Sequence, residues 1–363
     1  MQVELRDRSN NLVKVLGGAK NAAFHSVLNQ DGNGVFKIHR TDPDVTALNM
    51  LFGGIQGYIV HLLRKGPYET AFTDRFSFVV EAVTLGVDQQ EDANAWITVS
   101  GRGTLSLLEG RLCWPPGWDG LSDTSTITNQ LGQPYVAKSG GFIMDAELDR
   151  SASRFTPTIT HSVQSSTIGQ TVTLRFDDLR LLHDGLVKSG PMDAQMFGLD
   201  YQCVDVRGTD KSAAVTVKVA PQDSLLGVTL ERDSSKVANW IVAQGQGEGV
   251  NAKLAVQSDS TAIAALRRRE GFVDDRSVSD QGQLALDAAG TLALLKDADQ
   301  RITTHFVDSP HTQLYRDFDL GDTIGLSVQP LGWSSKYRVV GFTVADVDAE
   351  VEDCQLGVSE QLT

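Results

Sequence analysis

Two imidazoles and three carboxylates crowd the C-terminal part of this 363-residue chain: His305, His311, Asp317, Asp319 and Asp322. A carboxylate beside an imidazole can pass a proton in acid–base catalysis, and several such groups together can hold a metal ion. The local pattern argues for something plainer. Read as a strand, Gln313 to Phe318 alternates so that Asp317 and Asp319 share one face, with Phe318 and Leu320 on the other. That predicts a solvated strand face running into a tight turn at Leu320-Gly321-Asp322. No His-Glu-x-x-His, Gly-x-Ser-x-Gly or Cys/His nucleophile arrangement occurs elsewhere. No catalytic, cofactor-binding or metal-binding residue is therefore expected, no cofactor is implied, and the chain reads as a non-enzyme.

Other suggestive runs resolve in the same way. Gly245-Gln246-Gly247-Glu248-Gly249 looks like half of a phosphate cradle. A dinucleotide fingerprint also needs a third glycine at the right offset, a following helix and a downstream acid, and Glu248 would repel phosphate. A structural turn is expected. Asn29-Gln30-Asp31-Gly32-Asn33-Gly34 imitates the start of a calcium loop, but Arg40 stands where a bidentate Glu should close the shell, so a hairpin turn is predicted. Arg267-Arg268-Arg269 could meet an acidic partner; at the end of a helix they also complement its dipole, which is the plainer reading. Cys113, Cys203 and Cys354 are odd in number and far apart, which predicts reduced, buried thiols.

These residues need elements to hold them. Strands are predicted over 57–64, 75–83 and 96–99, then over 197–206, 213–219, 225–230 and 237–242, and finally over 303–307, 313–318, 323–328, 336–344 and 352–358. Helices are predicted from Thr104, which can cap Leu105, Leu108 and Leu112, and over 177–187, 260–269 with Asp259 as cap, and 280–296. Gly282 and Gly290 weaken the last of these. Pro115-Pro116 and the polar stretch 119–134 mark a boundary. Trp96-Ile97 with Gly101 and Gly103 matches Trp240-Ile241 with Gly245 and Gly247, a faint sign of internal duplication.

The result is a mainly β, α+β reading: two β domains, each a sheet or barrel, with a small α+β module between them and a helical insertion in the second. The boundaries are 1–116, 117–206, 207–258 with 303–363, and 259–302. Lys plus Arg number 32 against 46 Asp plus Glu, a net charge of -14, so non-specific attraction to nucleic acid is excluded. An acidic passage could still let DNA slide without sticking. No apolar leader opens the chain, and the longest apolar run, Met50 to Leu63, is shorter than the ~20 residues of a membrane helix, so no membrane anchoring is expected.

One ordered set of motifs carries a likeness: Gly245-Gln246-Gly247-Glu248-Gly249 after a strand, then Arg267-Arg268 with Glu270, Phe272-Val273-Asp274 and Arg276. A helix follows, then Arg316-Asp317-Phe318-Asp319-Leu320-Gly321-Asp322, then Val339-Val340-Gly341-Phe342-Thr343-Val344. Over residues 237–363 this resembles the hub-type minor tail proteins of long-tailed phages of actinobacteria. Ala243-Gln244 departs from the Gly or Ala-Gly that relatives more often carry. Trp96 to Pro116 resembles the family more loosely.

The resemblance implies a virion structural protein at the tail tip, made in the host cytoplasm. It makes the two β domains two related antiparallel β-barrel domains, and it implies a homotrimeric ring of two barrels per subunit, placed under the distal tail protein and the sixfold tail tube. The tape-measure protein and a central fibre or spike would be further partners, with DNA only in transit. Two rivals remain in view: a tail-associated wall hydrolase using Asp317, Asp319 and His311, and a carbohydrate-binding or adhesin module using Trp114, Trp118 and Trp333 as sugar platforms.

Overall fold

The computed structural model describes residues 1–86, 95–114, 133–155, 158–163, 169–174, 176–189, 192–219, 225–276, 278–296, 299–328, 333–348 and 351–360. The first part holds β1 (Gln2–Arg6), β2 (Leu12–Val15), β3 (Ala19–Val27), β4 (Asn33–His39), β5 (Ile59–Arg64), β6 (Thr73–Val79), β7 (Ala82–Gly86) and β8 (Trp96–Arg102). Between β4 and β5 lie a short helix α1 (Pro43–Ala47) and a 3-10 turn (Met50–Phe52). Asp42 starts α1 by accepting from the Asp44 N–H, and Pro43 sits where a helix has no use for an N–H.

The middle part holds β9 (Gln133–Lys138), α2 (Gly140–Ser151), β10 (Thr160–Val163), β11 (Gln170–Leu174), α3 (Leu179–Ser189), β12 (Asp193–Phe197) and β13 (Asp200–Val204). Next come β14 (Thr216–Val219) and β15 (Leu225–Asp233). An insertion follows with β16 (Trp240–Gln244), β17 (Leu254–Ser258), α4 (Ser260–Leu266), β18 (Glu270–Asp274) and α5 (Gln281–Leu295). The chain then forms β19 (Asp299–Phe306), β20 (Thr323–Val328), β21 (Trp333–Asp348) and β22 (Val351–Glu360).

A ten-stranded sheet runs through both ends of the sequence. Its main path is β15-β19-β22-β21-β3-β4-β8-β7, and β20 and β14 branch from β21. Along that path one antiparallel plan occurs twice, as β3-β4-β8-β7 and as β15-β19-β22-β21. Antiparallel pairing of β21 with β3 joins the two. A second sheet, β2-β1-β5-β6, belongs to the first unit; in the second unit β20 and β14 curl round until β14 lies beside β15.

The likeness of the two units reaches single hydrogen bonds. Gly57 N–H donates to the Val80 carbonyl (2.9 Å) and Val80 N–H to the Tyr58 carbonyl (2.8 Å). Gly321 N–H donates to Val339 (2.8 Å) and Val339 N–H to Asp322 (2.9 Å) in the same pattern. Both glycines have positive φ, +76° and +88°. Each pair leads straight into a six-residue strand, β5 or β20.

Alternation explains the core: Phe24, Phe36, Ile38, Ile97 and Val99 from the first unit pack with Val339, Phe342, Val344 and Leu356 from the second in one buried cluster. The fold is therefore mainly β, α+β, with two related β units, as the sequence pattern predicts. A second core fills the middle module, and a small third one lies between α5 and the sheet β17-β16-β18.

Several expectations are corrected. Residues 313–318 are a turn and not a strand, because Tyr315 takes a φ of +72° and Leu314 bridges Phe318 locally. Thr104 does not cap a helix: Thr104–Leu108 is a 3-10 turn, and the Thr104 hydroxyl donates to the Met196 carbonyl at 3.3 Å. The strand expected over 75–83 breaks after Val79 and restarts at Ala82 as a second one. The Trp96 and Trp240 motifs stand in different sheets, so the repeat is real but does not run through them. The insertion carries strands as well as helices, and β16 and β17 pair there and not in the large sheet. Helix α2 was not foreseen. Asp259 caps α4 as expected, though that helix ends at Leu266 and not at 269, and Asp280, expected as the first helical residue, caps α5. Gly290 lets α5 cross α3 closely, since a Cβ there would meet the Lys188 carbonyl oxygen at 2.1 Å. The expected boundary, with Pro115-Pro116 and most of 119–134, lies outside the described residues.

Candidate functional site

The densest polar cluster sits where the two β units and the middle module meet, in the turn between β19 and β20. Asp308 starts it, accepting from the Leu314 N–H (2.8 Å) and from the Arg64 guanidinium at the end of β5 (2.6 Å). Both side chains are nearly sealed from solvent, at 1% and 3% exposure. An ion pair so buried is tolerated only because each charge has its counter-charge and hydrogen bonds in place. Tyr315 then crosses from the second unit to the first. Its ring lies 4.3 Å from the Arg75 guanidinium and 5.8 Å from that of Arg64, with Phe342 edge-on at 5.3 Å. Burial pushes its phenol well above the ordinary value.

The carboxylates of the motif are consumed by this turn. Asp317 accepts from the Gln313 N–H (2.7 Å) and pairs with Arg316 (2.6 Å), whose hydrogen bond holds its carboxyl below the usual range. Asp319 accepts from the Leu320 N–H (2.7 Å), and burial raises its carboxyl above that range. Asp322 accepts from the amides of Asp319 (2.9 Å) and Thr209 (2.8 Å) and pairs with Lys211 (2.7 Å). On the module side, Asp193 accepts from the Arg207 N–H (2.6 Å) and pairs with Arg338, which also donates to the Gly321 and Arg207 carbonyls at 3.1 and 3.0 Å.

His305 and His311 do not join them. His305 contacts Asp353 across the sheet (3.1 Å), and His311 is exposed with its amide on Ser309. Among the described residues no group of three or more His, Cys, Asp or Glu side chains is placed to hold a metal ion. The arrangement can latch segments together; its carboxylates already carry amide or cationic partners.

The remaining candidates also have structural occupations. The Gly245 and Gln246 amides donate to the Lys253 and Val278 carbonyls (both 2.8 Å), and a 3-10 turn, Gly249–Asn251, follows. Asn29 binds the Ala194 amide (2.7 Å) and Asp193, while Asp31 pairs with Arg180, so this loop docks the β3–β4 hairpin on the module. The groove of about 640 Å³ beside it is walled by the same paired groups, Asp31, Arg102 and Arg180. Arg267 ends α4, Arg268 stacks on Trp240 at 3.7 Å, and Arg269 donates to the Ser234 carbonyl. Cys113, Cys203 and Cys354 are free and buried, and burial pushes the Cys203 thiol up to about 12. Trp114 receives Arg154 at 3.9 Å; Trp118 and the side chain of Trp333 lie outside the described residues.

The sequence reading overlooked Arg64, Arg75, Asp193 and Arg338. Arg64 had a signal: a lone Arg ending the apolar run Ile59-Val60-His61-Leu62-Leu63 must find a partner if that strand is buried.

Comparison with known proteins gives one family and several similar folds. A family model described as Siphovirus ReqiPepy6 Gp37-like protein matches residues 156–353. No curated protein sequence matches. Among solved structures, the tail protein from Neisseria meningitidis MC58 superposes with a TM-score of 0.64 at 13% identity, covering 99% of this chain and 96% of that one. The 43 kDa tail protein of prophage MuSo2 from Shewanella oneidensis gives 0.64 at 12%, covering 99% and 98%. Prophage tail protein gp18 from Listeria monocytogenes EGD-e gives 0.60 at 10%, covering 99% and 95%. Identities this low establish a common fold and nothing finer.

Proposed function

We propose, since the chain belongs to the Siphovirus ReqiPepy6 Gp37-like protein family, that it is the structural hub of a long-tailed phage, three copies forming a ring at the tail tip. In this reading the ring joins the sixfold tail tube and distal tail protein above to a threefold fibre or spike below and surrounds the path of the DNA. The protein is a non-enzymatic virion component, made in the host cytoplasm. Among the described residues no helix is long and apolar enough to cross a membrane.

One observation carries the ring: the sheet is a tandem repeat whose two ends match the strands joined at its centre. Among the described residues β7 pairs only with β8, and β15 only with β19. By the repeat, β7 corresponds to the last part of β21 and β15 corresponds to β3, and β21 and β3 pair with each other inside the chain. Pairing β7 of one copy with β15 of the next repeats the internal junction between copies, satisfies both edges and closes head to tail. Three copies then present six similar units.

The face of the sheet turned away from the core suits a channel wall. It carries mostly polar side chains, including Thr84, Thr98, Ser100, His25, Thr343 and Gln355, with Lys20 and Lys37 beside Trp96. The chain as a whole carries a net charge of -14, which disfavours sticking of DNA.

The division into a first unit through residue 116, a module over 117–206 and an interrupted second unit belongs to this reading. Sheet membership suggests an insertion over 240–295 in place of 259–302. Light scattering of the purified chain tests the ring: a mass of three chains supports it, and a stable dimer or hexamer excludes it.

A further inference from the structure

We infer that Phe52 is the side chain by which one copy grips the next, an inference that rests on the ring reading above. The argument starts from the repeat. In the second unit, the turn that leads into Gly321 projects Tyr315 across the β21–β3 junction, where it packs on Arg64 and Arg75 of the first unit. In the first unit, the turn that leads into Gly57 projects Phe52 instead. The 3-10 turn Met50–Phe52 lies beside β7, the free end of the sheet, and Phe52 is 85% exposed.

This exposure is built, not incidental. Met50 is fully buried and pins the turn, while Asn49 and Gly53 hold it with left-handed φ values of +50° and +81°. The amides of Phe52, Gly53 and Gly54 donate back to Asn49 (3.2 Å), Met50 (3.3 Å) and Asn49 (3.0 Å). A rigid turn that presents a large aromatic side chain to water loses little entropy when something covers it. Leu51 beside it and Leu85 on β7 are also exposed, so the apolar surface continues along the sheet edge. The occupant is a second copy of this chain, because the cover that the repeat supplies at the equivalent inner position is the neighbouring β unit. Outside, that neighbour is the second unit of the next copy, next to its β15 and the end of its β20.

The test compares full-length Phe52→Asp with Phe272→Asp, a control at another exposed phenylalanine (61%) on the insertion sheet, which is separate from the large sheet. Sedimentation equilibrium reads the concentration at which trimers form. The expected result is that Phe52→Asp raises that midpoint on the order of tenfold or more, that Phe52→Ala raises it less, and that Phe272→Asp leaves it in place. Trimers of all variants with the same midpoint overturn the inference and leave the ring intact. If the isolated wild-type chain stays monomeric, the same variants are produced during phage assembly and counted in purified tails. Loss of the chain with Phe52→Asp alone supports the inference, and equal incorporation overturns it. Wild-type tails holding some number of copies other than three sink the ring reading itself.

Discussion

The turn over residues 308–322 and the turn over 43–58 occupy the same place in two copies of one strand plan, yet their side chains have opposite chemistry. The first, at the junction inside the chain, carries the Arg64–Asp308 pair, the Tyr315 ring between guanidiniums and a set of carboxylates capping amides. The second, at the sheet's outer edge, carries Leu51 and Phe52. A junction within one chain always has its neighbour, so buried charges there are never left unpaired. A junction made by collision must strip water from whatever it carries, and an apolar group is dehydrated at a gain where a charge is dehydrated at a cost. The same backbone plan thus takes polar latches where contact is guaranteed and apolar ones where it must be recruited.

The largest effect expected is at the inner latch. Arg64→Ala leaves Asp308 buried and unpaired, which should cost about 3–5 kcal/mol in chemical denaturation. A loss below about 1 kcal/mol would mean that the pair does not hold the units together.

Next come the two equivalent glycines. At Gly321 a Cβ would lie 2.4 Å from the Arg207 carbonyl oxygen, whereas at Gly57 the nearest atom is the Arg8 Nε at 3.2 Å, the end of a flexible side chain. Gly321→Ala should therefore cost about 3 kcal/mol and Gly57→Ala about 1 kcal/mol, mainly from the left-handed φ. Equal losses would deny the difference in packing between the turns.

A smaller, pH-dependent contrast lies within the inner turn. Burial raises the Asp319 carboxyl, so its contribution to stability is present below its unfolded value and is lost as pH rises through the raised one. The Arg316 hydrogen bond lowers the Asp317 carboxyl, so its contribution is present above its unfolded value and is lost as pH falls through the lowered one. Between about pH 3 and about pH 7, thermal melts should show Asp319→Asn gaining on the wild type and Asp317→Asn falling behind. Parallel curves for the two variants would refute that assignment.

The smallest effect on stability belongs to the outer turn: Phe52→Ala should change it by no more than about 0.5 kcal/mol. A large loss would place Phe52 in the fold and not in an interface.

Much of this architecture was legible from local physics. Strand β20 falls on residues 323–328 as the pattern predicts, and Asp259 caps the helix that follows it. What escaped depends on contacts distant in sequence. Helix α2 hides because its buried stripe includes Glu147 and Ser151; Glu147 Oε1 accepts from Tyr135 and Arg150, and the Ser151 hydroxyl donates to the Leu148 carbonyl. Residues 313–318 alternate like a strand, and only the positive φ of Tyr315 gives the turn away. Two related units were expected, but the residues that correspond were not found, because the repeat is kept in strand order and amide bonds, while Tyr315 and Phe52 diverged with their surroundings. The family motif around Asp317 was visible, but its role as a latch required Arg64, Arg75 and Thr209 from elsewhere in the chain.

Cryo-electron microscopy of intact tails, with symmetry imposed only after classification, addresses the repeat and its closure together. The account predicts three chains at the tip, six β units around one channel, and a β7–β15 contact between chains that superposes on the β21–β3 contact within them. Three chains joined through other strands, or any other number of chains, would contradict it.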